Sequence, residues 1–310
     1  MLNHPLNGLR RRDWLAGAAG VTLAAAASRT RAAENETPYI DAHVHVWTPD
    51  TARYPLAPGF KKSDMSPASF TPEELFRHAK PNGVGRIVLI QMSYYHTDNT
   101  YMLEMMKQYP GVFAGVAIIE ETKQAPFTMG KLRPLGVTGF RIQPRDRKPD
   151  QWLQGDGMQA MWAAGAKNGQ AMCHLINPEF LPSVDAMCRK HPDTPVVIDH
   201  FARIGIDGEI READLKQLCQ LAEHKHTYVK ISAYYALGKK LAPYTDLLPM
   251  IRRLLDAFGP ERLMWASDCP FQVVDGHAYK PSIDLIKQMT LSDGDRDWLL
   301  RRTAEKVFFS

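Results

Sequence analysis

Beyond residue 37 the chain repeats one rhythm: a short β-branched apolar run, a polar or Gly/Pro turn, then ten or more residues with apolar positions at helical spacing. Eight of the short runs read as strands. They are "YIDAHVHV", "RIVLIQM", "FAGVAII", "VTGFRI", "QAMCHLI", "PVVIDH", "TYVKIS" and "RLMWASD", spread from Tyr39 to Asp268. Their apolar character is nearly continuous, whereas a strand with one wet face alternates, so these are parallel strands covered on both sides. Strand followed by helix without interruption predicts a parallel α/β architecture.

The helices between them carry recognisable punctuation. Thr71, Pro72 and Glu74 supply the N-cap, first-turn proline and reaching-back glutamate of a capping box. "HPDTP" before the sixth strand and Gly259–Pro260 before the eighth are helix stops. No long linker, low-complexity tract or second hydrophobic rhythm interrupts the pattern, so residues 38–310 read as one domain. Eight strand-helix units predict a closed (β/α)8 TIM barrel, in which the active site lies at the carboxyl ends of the strands. A doubly wound open sheet would carry a Gly-rich phosphate loop after the first strand; that position holds "HVHVW". The longest irregular stretch, residues 48–69, is rich in Pro, Gly and Ser and reads as a lid or rim of the pocket.

Composition adds bounds. The 310 residues are 45% hydrophobic and 23% charged, an ordinary globular balance with material for a large core. A formal charge of +4 is too small and dispersed for a nucleic-acid surface. Part of that charge sits at the N-terminus, where residues 1–33 read as an export signal: Arg10, Arg11 and Arg12 precede an alanine-rich run too short to serve as a stable membrane anchor. The stretch "RRDWL" resembles a twin-arginine signal, which implies the twin-arginine export machinery as a partner and a periplasmic or exported destination. An uncleaved amphipathic helix is the alternative, disfavoured because the segment lacks a polar face. Cys173, Cys188, Cys219 and Cys269 show neither C-x-x-C spacing nor the density of a disulfide scaffold, and Cys173 and Cys269 read as small buried hydrophobes.

The chemistry-bearing residues gather at predicted strand ends. His43 and His45 are two apart in the first strand, so both project to one face, and two neutral imidazoles there suit a single transition metal. An isolated H-x-H is common by accident; its position at the end of the first strand, after Asp41, gives it weight. Asp268 closes the eighth strand, across the barrel mouth, as a metal ligand, a general base for water, or an N-cap of the following turn. His174 ends the fifth strand and His200 the sixth. His174 is a candidate to complete the metal shell, and His200 to ligate or to polarise a scissile carbonyl. Asp199 points the other way by alternation and reads as structural. Arg141, Arg145, Arg147 and Arg203 lie at the same end of the barrel, which implies a small substrate that is anionic or polyhydroxylated. Lys230 reads equally as a pocket residue or as a barrel-layer residue paired with a carboxylate.

"DAHVHVW", "GFRIQ", "VIDHFARIG", "YVKIS", "LMWASDCPF" and "LLRRTAEKVFF", in this order over residues 38–309, resemble the amidohydrolase-related family, in its lactonase branch of pyrone-dicarboxylate and sugar-lactone hydrolases. The resemblance implies a central site of His43, His45 and Asp268 with His200 beside it. It implies one divalent metal, zinc in some relatives, while in others the aspartate works without metal. It places Arg141, Arg147 and Arg203 at substrate-binding positions. "KISAYYALGKK" departs from the dicarboxylate pattern, with Tyr234 and Tyr235 after the seventh strand instead of an arginine; Tyr234 becomes the substrate-binding candidate. No lysine suited to carbamylation ends the fourth strand, which argues against a bridged two-metal centre. The expectation is hydrolysis of a lactone or similar cyclic ester, with Asp268 activating water and His200 assisting. The rivals are a zinc-dependent non-oxidative decarboxylase and a metal-retaining binding protein without turnover. A homo-oligomer stays open.

Overall fold

The computed structural model describes residues 38–310, so the export segment expected over residues 1–33 lies outside the described residues. Eight strands form one sheet in sequence order: β1 (Tyr39–Val44), β2 (Val84–Ile90), β3 (Phe113–Ala117), β4 (Val137–Ile142), β5 (Ala171–His174), β6 (Val196–Ile198), β7 (Thr227–Ile231) and β8 (Leu263–Trp265). Each is parallel to the next. A parallel bridge between Val44 and Cys269 returns β8 to β1, with Asp268 N donating to His43 O at 2.9 Å and His45 N donating to Cys269 O at 2.8 Å. The fold is the expected (β/α)8 barrel.

The strands divide two apolar clusters. Ile40, Val88, Val116, Cys173, Val197 and Met264 fill the interior together with Val307 and Phe308 of the last helix, Thr303–Phe308. Val44, Leu89, Ile142, Met172, Ile198 and Trp265 face the surrounding helices. Apolar side chains on both faces are what the unbroken hydrophobic runs required. The capping box is formed as expected: Glu74 N donates to Thr71 Oγ1 at 3.4 Å and Thr71 N donates to Glu74 Oε2 at 2.6 Å.

Two departures from the expected strands position the site. β6 stops at Ile198 and β8 at Trp265, earlier than the apolar runs suggested, so Asp199, His200 and Asp268 sit in turns rather than on strands. β1 carries one extra residue between Asp41 and Val44 relative to β2, a bulge that re-aims His43.

The long loop after β1 is a rim tied down at several points. Trp47 Nε1 donates to Pro67 O (2.9 Å), Ala57 N to Tyr94 O (2.8 Å) and Tyr94 Oη to Asp64 O (2.9 Å). It buttresses the turn after β2, which in turn gives Met92 and Ser93 to a cavity at the barrel mouth. All four cysteines are free thiols, and burial pushes Cys173 up to about 12, in keeping with an inert core residue. Among the described residues no helix is long and apolar enough to cross a membrane.

Candidate active site

His43, His45 and Asp268 converge at the carboxyl end of the barrel. Asp268 Oδ1 lies 3.5 Å from His43 Nε2 and 3.5 Å from His45 Nε2, and among the described residues it is buried without a hydrogen-bond donor. One ligand atom from each of the three falls within 4.8 Å of the others. His45 Nδ1 donates to Ile90 O at 2.9 Å, which fixes the tautomer and leaves Nε2 as a lone pair facing Asp268. Two imidazole lone pairs and an unsatisfied carboxylate oxygen are a donor set that fits one zinc-like ion with further positions left open.

Asp268 reaches this place through the backbone. Its φ of 66° is left-handed, and its N–H is held by His43 O. Asp41 staples the same junction: its Oδ1 accepts from His43 N (3.2 Å) and Ser267 N (2.9 Å), and its Oδ2 from Tyr279 Oη (2.7 Å). Burial raises the Asp41 carboxyl to about 6 despite these donors. At Asp268 burial also pushes upward, but His200, His45 and His43 around it outweigh that and hold the carboxyl well below the usual range. Tyr235 donates to Asp268 Oδ2 at 2.8 Å, and burial, then the charge of Asp268, raise that phenol far above its ordinary value, so it stays a donor.

Behind His43 lies a buried network of charge. Asp199 Oδ1 is 3.0 Å from Lys230 Nζ and 3.4 Å from His43 Nδ1, and Asp199 Oδ2 is 3.5 Å from Arg141 Nη2. Burial, and then the Lys230 ammonium, push His43 well below its usual value, so the ring is neutral and carries one proton. Arg141 Nη2 lies 3.1 Å from His43 Nε2 and Lys230 Nζ 3.2 Å from His43 Nδ1, so a cationic donor stands at each ring nitrogen, with Asp199 Oδ1 3.4 Å from Nδ1. Burial disfavours the charged Asp199 carboxylate, but Lys230 and His43 overcome it and hold the group well below the ordinary carboxylate range. Lys230 is therefore the barrel-layer residue paired with a carboxylate, one of the two readings of it.

Alternation fails at Asp199. Four consecutive residues after it are left-handed without being glycine: His200 (φ 52°), Phe201 (55°), Ala202 (54°) and Arg203 (59°). This turn swings His200 and Arg203 to the barrel mouth while leaving Asp199 inside, so both neighbours serve the site. His200 Nδ1 pairs with Ser232 Oγ at 2.7 Å, and Nε2 lies 3.6 Å from Asp268 Oδ2. Burial lowers its pKa.

The mouth is a cavity of about 290 Å³. His45, Arg141, His200, Arg203, Tyr235 and Asp268 supply its polar lining, and Met92, Leu175, Ile206 and Phe271 its apolar walls. Few convergent polar groups on an apolar frame are the usual make-up of a small-molecule site.

Three sequence-based assignments are corrected. His174 is not a metal ligand: in β5 Cys173 points inward and His174 outward, where its ring packs between Trp152 (5.6 Å) and Trp162 (5.4 Å) and makes no well-formed hydrogen bond. Arg147 is not a substrate-binding residue. Its guanidinium forks onto Glu121, reaching Oε1 at 3.0 Å, and its Nη2 and Nε also donate to Gln143 O (2.8 Å) and Pro144 O (3.0 Å). Glu121 is itself pinned, since Gly157 packs so tightly that a Cβ there would meet Glu121 O at 2.0 Å. Tyr234 is likewise buried between Phe201 and Tyr244, away from the cavity, because the left-handed Ala233 (φ 58°) rotates the chain and brings Tyr235 to the site instead. Asp199, Tyr235 and Asp41 were each adjacent to, or named beside, a chosen residue, but the sequence carries no sign of the turns that bring the first two inward.

Comparison with known proteins adds to this geometry. The family profile described as amidohydrolase matches residues 40–309. The L-fucono-1,5-lactonase of Burkholderia ambifaria is 29% identical over 243 residues, covering 77% of this chain and 82% of that protein. The 2-pyrone-4,6-dicarboxylate hydrolase of Comamonas testosteroni is 27% identical over 250 residues, covering 77% and 78%. A zinc-bound crystal structure of an amidohydrolase from Burkholderia multivorans superposes with a TM-score of 0.73 at 22% identity, over 88% of this chain and 99% of that one.

Proposed function

The chain belongs to the amidohydrolase family, and from that premise we propose that it hydrolyses a lactone or similar cyclic ester with the help of one divalent metal, zinc. The observation that carries this reading is the unsatisfied Asp268 Oδ1 facing two imidazole Nε2 atoms. The similarity to lactone hydrolases supports the substrate class. His43, His45 and Asp268 are the residues that would hold the ion, whose chemistry is to polarise the carbonyl and acidify water.

The chain's own groups do the rest. Asp268, anionic and steadied by Tyr235 at Oδ2, accepts a proton from the attacking water. Arg141 and His200 face the developing oxyanion from the cavity wall, where donors fixed in advance stabilise it without reorganising. As the ring C–O bond breaks, the proton taken by Asp268 is returned to the ring oxygen, and one opened hydroxy acid leaves. Arg203 and Arg141 anchor the substrate's carboxylate or hydroxyl groups. The paired Arg11 and Arg12 extend the proposal to export of the folded protein to the periplasm.

The test is elemental analysis of the purified protein, with pH-indicator assays of a lactone panel before and after chelation and in Asp268→Asn. About one zinc per chain and chelator-sensitive acid release, reduced by roughly two to four orders of magnitude in Asp268→Asn, is the expected result. Acid release from no lactone, with carbon dioxide released from an unsaturated acid, would replace it with the decarboxylase reading.

A further inference from the structure

A second cavity, of about 420 Å³, lies outward of the catalytic one, and the two share Arg203 and Ile206 as a common wall. Both loops that border the inner cavity continue along the outer. The segment after β5 gives Leu175 to the inner and Asn177 and Glu179 to the outer; the turn after β6 gives His200 to the inner and Asp207 to the outer. The helix Glu212–Gln220 closes the far side with Asp214 and Gln217. The two cavities thus adjoin at Arg203 and Ile206, and the loops after β5 and β6 line both.

The chemistry of the outer stretch is mixed and nearly balanced. Arg211 is spent on Asp207 (2.7 Å) and Glu209 (2.8 Å). Among the described residues, Arg203, Asp214 and Gln217 make no side-chain hydrogen bond or ion pair, so a donor, an acceptor and an amide that offers both flank the space. Glu179, Asp207 and Asp214 repel an anion, while Arg203 and Arg211 repel a cation. A neutral group whose every oxygen both donates and accepts satisfies all of them, which is the chemistry of a sugar. The inner cavity, at about 290 Å³, has room for little beyond a single ring.

We propose that the outer cavity is a second subsite that takes a neutral polyhydroxylated extension, so that the substrate is a lactone carrying an appended glycosyl unit. The inference rests on the lactonase reading and narrows it from a single-ring lactone to a glycosylated one. Arg203 sits at the join, contacting the lactone on one side and the extension on the other.

The probes are glucono-1,5-lactone and three glycosylated counterparts: the cellobiono-, maltobiono- and melibiono-lactones. At least one glycosylated lactone is expected to exceed glucono-1,5-lactone in kcat/KM by about tenfold. Gln217→Ala and Asp214→Ala, both outside the catalytic residues, are expected to erase that advantage while leaving glucono-1,5-lactone within about twofold of wild type. Equal kcat/KM for all four in the wild type, or variants that lower every substrate alike, would overturn the subsite. Calorimetry with sorbitol and the matching glycosylated alditols keeps the two readings apart. If no lactone is hydrolysed, the lactonase reading fails alone, and tighter binding of a glycosylated alditol that is lost in Gln217→Ala still supports the subsite. Equal binding of the alditols then counts against the subsite itself.

Discussion

The guanidinium of Arg141 donates from Nη2 to Nε2 of His43 at 3.1 Å, the same lone pair that points, 3.5 Å away, at Asp268 Oδ1. A cation held by His43 and Asp268 would compete with Arg141 for one nitrogen, and its binding would free the guanidinium for the substrate in the cavity that Arg141 lines. Arg141→Met is expected to tighten zinc binding by about tenfold, since it frees an acceptor and removes a like charge. The same change is expected to raise KM. A chelating-dye competition on the purified protein reads the first effect and steady-state kinetics the second; weaker zinc binding in the variant would make Arg141 a support of the metal site.

His174 separates two roles that sequence spacing merged. Burial lowers its pKa from an ordinary 6.5 to about 4, so in the folded protein it binds its proton less readily than in the unfolded chain. The unfolded state takes up that proton first as pH falls, so the stability associated with the neutral ring is whole above about 6.5 and is lost on the way down to about 4. The loss amounts to about 3 kcal/mol. His174→Leu is expected to remove this component of the acid sensitivity, read as urea midpoints at pH 7 and pH 4.5, and to leave zinc binding unchanged. Loss of zinc in this variant would return His174 to the metal shell.

Tyr234 and Tyr235 form a matched pair for a second separation. Tyr235→Phe removes the donor to Asp268 Oδ2 and is expected to lower kcat by about tenfold to a hundredfold with the fold intact. Tyr234→Phe removes a buried hydroxyl that has no hydrogen-bond partner among the described residues and is expected to leave kcat unchanged and thermal stability equal or slightly higher. Circular dichroism melts beside the kinetics distinguish the outcomes, and equal activity loss in both variants would show that the turn acts as one unit.

These contrasts also show what the sequence could and could not reveal. The barrel was legible because eight apolar runs and their helix stops are local signals, and His43 with His45 was legible because two residues apart on one strand share a face whichever face that is. Inside against outside was not legible. Strands covered on both faces lack the polar alternation that marks the interior, so Cys173 and His174 were equally eligible to point inward, and the structure chose Cys173. Asp199 and Tyr235 were hidden for a different reason. Asp199 adjoins left-handed His200 and Tyr235 lies two residues past left-handed Ala233; both turns break the period of two, and nothing in "DHFAR" or "KISAYY" announces a positive φ because neither stretch contains a glycine. Arg147 lies beyond the end of β4, where the chain folds back onto Gln143 and Pro144 and direction can no longer be counted along a strand.

The pair of Asp199 and Lys230 gives a stability prediction. Asp199→Asn leaves the Lys230 ammonium buried beside Phe308 and His43 without its carboxylate, and is expected to cost about 3 to 5 kcal/mol. The double change Asp199→Asn with Lys230→Met is expected to recover most of that stability, measured by chemical denaturation, without recovering activity, because the carboxylate facing His43 Nδ1 is still missing. Full recovery of both would show the pair to be purely structural.

The left-handed run from His200 to Arg203 has a consequence for how this protein tolerates change. Each of these residues sits where an L side chain is disfavoured by roughly 1 kcal/mol and only glycine is at ease. Ala202→Gly is expected to relieve that tension and to raise the melting temperature. The same change is expected to loosen the backbone that aims His200 and Arg203, so that the variant turns over more slowly, which steady-state kinetics beside the melts would read. Engineering for heat tolerance and selection for catalysis pull this one turn in opposite directions, and a library screened only for survival drifts toward well-folded, sluggish enzymes.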